Sequence, residues 1–154
     1  MSIEKVKAFL REKGLLDRII EFEDSTATVD LAAAALGVEP GCIAKSMSFL
    51  VDGSPLLVLL AGDVRVDNHK FKMAFHQKGR MIPFDQVETY IGHAPGGVCP
   101  FAVKQGVPVY LDVSLQRFPV VYPAAGNAHS AVRMTPEELA PLVDAAGWVD
   151  VAKD

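Results

Sequence analysis

The side chains best able to do chemistry in this chain are few and widely spaced. Cys99 is one of only two cysteines, the other being Cys42. A cysteine nucleophile needs an adjacent base and a depressed pKa, and His93, six positions before Cys99, is near in sequence without thereby being in contact. Cys99 is therefore not assigned as a nucleophile. The two cysteines form no CxxC pair, so neither a disulfide framework nor a thiolate zinc site is expected. His69 and His76 lie about two helical turns apart, whereas a helical metal pair uses positions i and i+4. No metal and no cofactor is expected. Lys45 carries an ammonium with an ordinary pKa of roughly 10.4, which suits it to orienting a substrate or stabilising charge better than to general-base work. Without further information it also reads as a surface lysine at the start of a strand.

Charge distribution says more than total charge. The chain of 154 residues has a net charge of -4, which argues against coating nucleic acid by bulk electrostatics. Between Arg65 and Arg80, however, Arg65, Lys70, Lys72, Lys78 and Arg80 face only Asp67, a net +4 that leaves -8 for the remainder. That asymmetry fits one basic face, or an ordinary solvated helix surface.

The elements that must hold these residues follow from periodicity and punctuation. Ser2 caps a helix with Ile3, Val6, Phe9 and Leu10 on one stripe and Gly14 at its end. Ile19 to Phe22 reads as a short strand. Thr28 caps an alanine-rich helix through Leu36 that stops at Gly37. Lys45 to Val51 and Pro55 to Ala61 flank an Asp52-Gly53 turn and read as a hairpin whose second strand, apolar throughout, is central. A helix from about Asp67 to Gln77 is expected to carry the basic cluster, and another runs from Phe84 to Ile91, ending at Gly92. Residues 93–100 are too rich in glycine and proline for helix or strand. Val107 to Val113, Pro119 to Tyr122 and Ala131 to Met134 are β-like, and Thr135-Pro136-Glu137-Glu138 signs a helix start with a capping box. The order of elements predicts one mixed α/β domain over residues 1–154.

Five segments in this order, Thr28 to Gly37 (TVDLAAAALG), Ile43-Ala44-Lys45-Ser46, Leu60-Ala61-Gly62-Asp63, Gly96-Gly97-Val98-Cys99-Pro100 and Tyr110-Leu111-Asp112, resemble the YbaK family and the editing domain inserted in bacterial prolyl-tRNA synthetases. The resemblance implies a mixed, curved β-sheet flanked by helices. It also implies trans-editing: hydrolysis of the ester of a mischarged aminoacyl-tRNA bearing a small amino acid, on tRNA-Pro or a related tRNA. Lys45 matches the family's functional lysine near the tRNA 3′ end. Gly96, Gly97, Val98, Cys99 and Pro100 match its glycine-rich substrate loop, where backbone N–H groups can hold a carbonyl oxygen as charge develops. Gly126 and His129 resemble a GxxxH-type element with one fewer intervening residue. The histidine is open to a role orienting water or the amino acid, or simply to closing a hairpin. Asp112 matches an acidic position that would bind the substrate amino group, pair with Lys45, or cap the following turn. On this reading Lys70, Lys72, Lys78 and Arg80 meet the tRNA acceptor stem. Mischarged aminoacyl-tRNA is the expected partner, with an aminoacyl-tRNA synthetase as a further one. A non-catalytic tRNA- or synthetase-binding module is the alternative that the basic patch also satisfies. A DNA-binding regulator finds no helix-turn-helix or zinc signature.

The longest apolar run, Pro55 to Ala61, is far short of the roughly 20 residues of a membrane-spanning helix. Ser2 to Lys7 lacks the apolar stretch of a secretory signal. A cytoplasmic protein is expected.

Overall fold

The computed structural model describes residues 2–153. The chain opens with α1 (Ser2–Glu12), which buries Ile3, Val6 and Leu10 as its apolar spacing requires. Strand β1 (Ile19–Glu21) follows, and then α2 (Val29–Leu36), capped by the Thr28 side chain on the Leu31 N–H and closed by Gly37 at φ 70°. Strands β2 (Ala44–Val51) and β3 (Ser54–Ala61) form the expected hairpin.

Helix α3 spans Asn68–Phe75, shorter than its sequence pattern suggests, because His76 adopts a left-handed conformation at φ 64° and ends it. Lys78 therefore lies beyond the helix, and Arg80 lies in the two-residue strand β4 (Arg80–Met81). The basic residues span three consecutive elements instead of one helix face. A single 3-10 turn over Phe84–Gln86 leads into α4 (Val87–Ile91), which stops at Gly92. The chain then forms β5 (Val109–Asp112), β6 (Ser130–Val132), α5 (Pro136–Leu142) and β7 (Gly147–Val149). The β-like stretch Pro119 to Tyr122 forms only isolated bridges, Val121 to Met134 and Tyr122 to Ile43.

The main sheet has the order β4-β2-β3-β5-β7, antiparallel on the β2 side of β3 and parallel on the β5 side. β1 and β6 pair separately as a small antiparallel sheet. β3 is the central strand, and from Leu57 to Ala61 it is fully screened from solvent. Both of its faces are covered, which is why it is apolar throughout. Leu57, Leu59 and Ala61 pack with Val6 and Leu10 of α1, Leu139 of α5, Phe101 and Met134. Val58 and Leu60 meet Phe49, Phe71 of α3, Val151 and Ala152. On that second face Phe49, Phe71, Phe75 and Tyr110 stack in series, with ring centroids 4.8, 4.6 and 4.9 Å apart.

The start of α5 is tied to the start of β1. Thr135 and Glu138 form a reciprocal capping box, and both Glu138 oxygens also accept from Arg18, at 3.1 and 2.9 Å. The Arg18 bond, followed by the bonds of Thr135, holds the Glu138 carboxyl down at about 2. A carboxylate with a depressed folded-state pKa stabilises the fold above its unfolded value and loses that contribution as pH falls toward the folded one. Glu138→Gln is expected to lower the urea midpoint at pH 7, by about 1 kcal/mol in stability for a partly exposed bidentate pair. The gap between variant and parent should narrow steadily between pH 4.5 and 2. A gap independent of pH would show that the carboxylate charge contributes nothing.

Candidate functional site

A cleft of about 190 Å³ opens between the two sheets. Its walls are Thr26 and Ala27, the first turn of α2 (Thr28, Val29, Ala32), the entry of β2 (Ile43 to Ser46), Gly96 and Val98, the Tyr122 to Ala124 segment, and Ser130 and Ala131 of β6. Each wall has a local cause. The N–H of Ala44 donates to the Tyr122 carbonyl, and the N–H of Tyr122 donates to that of Cys42, which ties β2 to the 121–124 segment. The N–H of Thr26 donates to Ala128, and that of Phe22 to His129, so the small sheet carries the loop before α2 to the cleft mouth.

Lys45 and Gly96, assigned from separate motifs, line this one cleft. Lys45 is half-buried, and its Nζ donates to the Val64 carbonyl just beyond β3. Burial pulls its pKa below the usual lysine range, Asp63 opposes that pull, and Arg65 adds to it. Asp63 is itself gripped by Arg117 through bonds of 2.5 and 3.3 Å. That grip is the main reason its carboxyl lies below the ordinary range. Apart from Lys45, every described residue lining the cleft is uncharged, and most are small and apolar.

The glycine loop is held by backbone packed on backbone. Gly97 is buried, and a Cβ there would fall 2.6 Å from the Gly126 carbonyl oxygen and 2.8 Å from Asn127 Cα. Gly126, at φ 99°, lies in turn against the Ser2 backbone, where a Cβ would meet it at 2.9 Å. The glycines thus couple α1, the 126–127 turn and the substrate-loop candidate, leaving Gly96 exposed on the cleft side. Gly97 and Gly126 themselves border a separate hollow near the start of α1, together with Asn127 and Ala128.

Several expected site residues stand elsewhere. Asp112 is fully buried; its oxygens accept from the N–H groups of Ser114 at 2.9 Å and Val151 at 2.8 Å. It caps the following turn and fastens the C-terminal segment, and it neither lines the cleft nor pairs with Lys45. Cys99 packs into the main core and Pro100 borders a separate hollow beside Phe9 and Val103, both buried and outside the cleft wall. His129 is exposed, with Nδ1 3.1 Å from the Asp24 carbonyl, and stands beside the cleft wall instead of in it. An N–H on Nδ1 donates there. Lys70 donates to the Ala152 carbonyl at 2.9 Å and meets Asp150 at 3.4 Å, so it anchors the chain end. Lys72, Lys78 and Arg80 are exposed.

Cys99 does approach His93, Sγ to Nε2 at 3.5 Å. Both are sealed from solvent, His93 Nε2 also lies 2.7 Å from the Phe101 carbonyl, and burial pushes the Cys99 thiol up to about 12. A neutral, inaccessible thiol is no nucleophile. Sequence reasoning overlooked Thr26, Tyr122, Ala124, Ser130 and Ala131 as wall residues. Their types carry no chemical signature; the pairing of β1 with β6 places Ser130 and Ala131 at the cleft, the Thr26 bond to Ala128 places Thr26, and the backbone bonds of Tyr122 to Ala44 and Cys42 bring in the 122–124 segment.

The model of the aminoacyl-tRNA editing domain matches residues 23–142, and the chain belongs to that family. It is 42% identical to the uncharacterized protein YwhH of Bacillus subtilis across 100% of this chain and 99% of that one. It is 33% identical to the proline–tRNA ligase of Shouchella clausii over 75% of this chain but only 21% of the ligase. A crystal structure of a candidate trans-editing enzyme for prolyl tRNA synthetase superposes with a TM-score of 0.89 at 32% identity, covering 99% of this chain and 98% of that one. Among the described residues no helix is long and apolar enough to cross a membrane.

Two measurements probe this geometry. Gly97→Ala should cost about 1 to 3 kcal/mol, because the new methyl meets backbone that cannot rotate away. Thermal unfolding reads the loss, and an unchanged Tm would show that the two loops are not in contact. In native protein, iodoacetamide should label the half-buried Cys42 first and Cys99 only on unfolding. Rapid labelling of both thiols would contradict the sealed Cys99.

Proposed function

We propose that this protein is an aminoacyl-tRNA deacylase acting in trans, hydrolysing the ester of a mischarged tRNA that carries a small amino acid, on tRNA-Pro or a related tRNA. The observation that carries the reading is the meeting of Lys45 and Gly96 in one cleft walled by small apolar side chains, in a chain of the aminoacyl-tRNA editing family.

An aminoacyl ester is already activated, so placement and charge stabilisation suffice where a peptidase needs a nucleophile. The N–H groups of the loop around Gly96 are suited to hold the ester carbonyl as negative charge develops on it. Lys45 exchanges the Val64 carbonyl for an oxygen of the 3′-terminal nucleotide and keeps its charge by doing so. Attack comes from water, a ribose hydroxyl or a substrate side chain. Ala27, Ala32, Ala124 and Ala131 give the pocket walls of low volume, and exclusion by size supplies the selectivity, since one methylene is worth only about 1 to 3 kcal/mol in an apolar pocket.

The exposed Lys72, Lys78 and Arg80 are assigned to acceptor-stem phosphates, with Lys70 bracing the segment behind them. Arg80 pairs with Leu50, five residues along β2 from Lys45. At a strand rise of about 3.4 Å per residue this places it roughly 17 Å away, within reach of a stem whose 3′ end enters the cleft.

Lys45→Ala should lower kcat/KM on the preferred mischarged tRNA by about 100-fold or more while tRNA binding is retained. Deacylation of alanyl-, cysteinyl-, seryl- and threonyl-tRNA by parent and variant reads this directly. Binding by the parent with no turnover on any ester would favour a tRNA-binding module.

A further inference from the structure

The hydroxyls of the cleft differ in one respect. Thr26 Oγ1 donates to the Ser130 carbonyl at 3.3 Å and accepts from the Ser130 N–H at 3.1 Å. Thr28 Oγ1 accepts from Leu31, and Ser130 Oγ donates to Asn127 Oδ1 at 2.7 Å. Tyr122 is half-exposed. Ser46 Oγ is screened from solvent and has no hydrogen-bond partner among the described residues. Strand alternation sets Ser46 on the same face as Ala44, a member of the main core, and away from Lys45 and Met47.

An unpaired hydroxyl in such a place lowers stability, and an alanine would avoid that penalty. A group that weakens the free protein and borders the cleft fits a partner that arrives with the ligand. Its chemistry is limited by what else lines the cleft. Among the described residues that line the cleft there is no carboxylate to receive an ammonium, and the cation is Lys45. The ester carbonyl falls to the backbone N–H groups of the glycine loop. With the carbonyl and any anionic oxygen of the ligand assigned to those groups, the substrate hydroxyls are the polar groups left for Ser46, and a Ser hydroxyl, both donor and acceptor, can pair with one.

We propose that Ser46 is a substrate-binding residue whose Oγ hydrogen-bonds a substrate hydroxyl, an assignment that rests on the deacylase reading above. Two sources of that hydroxyl exist, the terminal ribose and the side chain of a hydroxyl-bearing amino acid. Acting on the ribose, Ser46 positions every aminoacyl ester alike. Acting on the side chain, it selects seryl and threonyl esters over alanyl and cysteinyl ones.

The test compares the parent with Ser46→Ala on alanyl-, cysteinyl-, seryl- and threonyl-tRNA, together with Tm measured without RNA. The expected result is an equal or higher Tm with kcat/KM lowered roughly tenfold or more. Equal loss on every ester deacylated by the parent identifies the ribose as partner; loss confined to seryl and threonyl esters identifies the side chain. Unchanged kcat/KM on all esters overturns the proposal, as does a loss of activity accompanied by a lowered Tm, which marks a merely structural serine. A parent inactive on all four esters overturns the deacylase reading itself, and this assignment falls with it.

Discussion

Two loops touching through bare backbone set the shape of the cleft. The 96–98 loop has no helix or strand of its own, so its position is borrowed from the 126–127 turn, and that turn borrows its position from the first residues of α1. Contacts of this kind have no flexible side chain to absorb error. They transmit the placement of an N-terminal helix to a cleft wall some 90 residues later in the chain. The loops also bring the small β1-β6 sheet and the main sheet to a common edge, which is where the cleft forms.

Electrostatics around the cleft follow from the same economy of side chains. One cation stands among neutral walls, half-buried and held by a main-chain carbonyl, while the opposing charge of Asp63 is kept outside by Arg117. An ammonium in that setting is poorly solvated and attracted to any anionic oxygen that enters. On the proposed function, that attraction would act on a backbone phosphate or a developing oxyanion, and no carboxylate among the described lining residues neutralises the ammonium.

Much of this was legible in the sequence, for identifiable reasons. Thr28 and Gly37, Thr135 and Glu138, and the Asp52-Gly53 turn are local signals, and the elements they bound formed where expected. The seven apolar residues from Pro55 to Ala61 identified a strand covered on both faces, because no other position tolerates them. The end of α3 was missed because a left-handed histidine, unlike a glycine, leaves no mark in composition. β4 and β7 were missed because two- and three-residue strands carry no periodicity; they exist through pairing with β2 and β5. Lys45 and Gly96 were found as motif members, but their meeting is tertiary. Asp112 had the right type for a substrate contact, and only its two backbone donors reveal a structural fastening.

The central strand also has a life before the fold is complete. Leu56 to Ala61 is an uncharged, strongly apolar hexamer of the kind that stacks with copies of itself when its edges are open. Antiparallel pairing with β2 across a two-residue turn covers one edge early, since both partners are close in the chain. The other edge waits for β5, a parallel partner about 50 residues later, whose closure is intrinsically slower. Until residues 109–112 are available, a nascent or partly unfolded chain exposes that edge, and Pro55 and Asp63 at its two ends act as the gatekeepers against self-association.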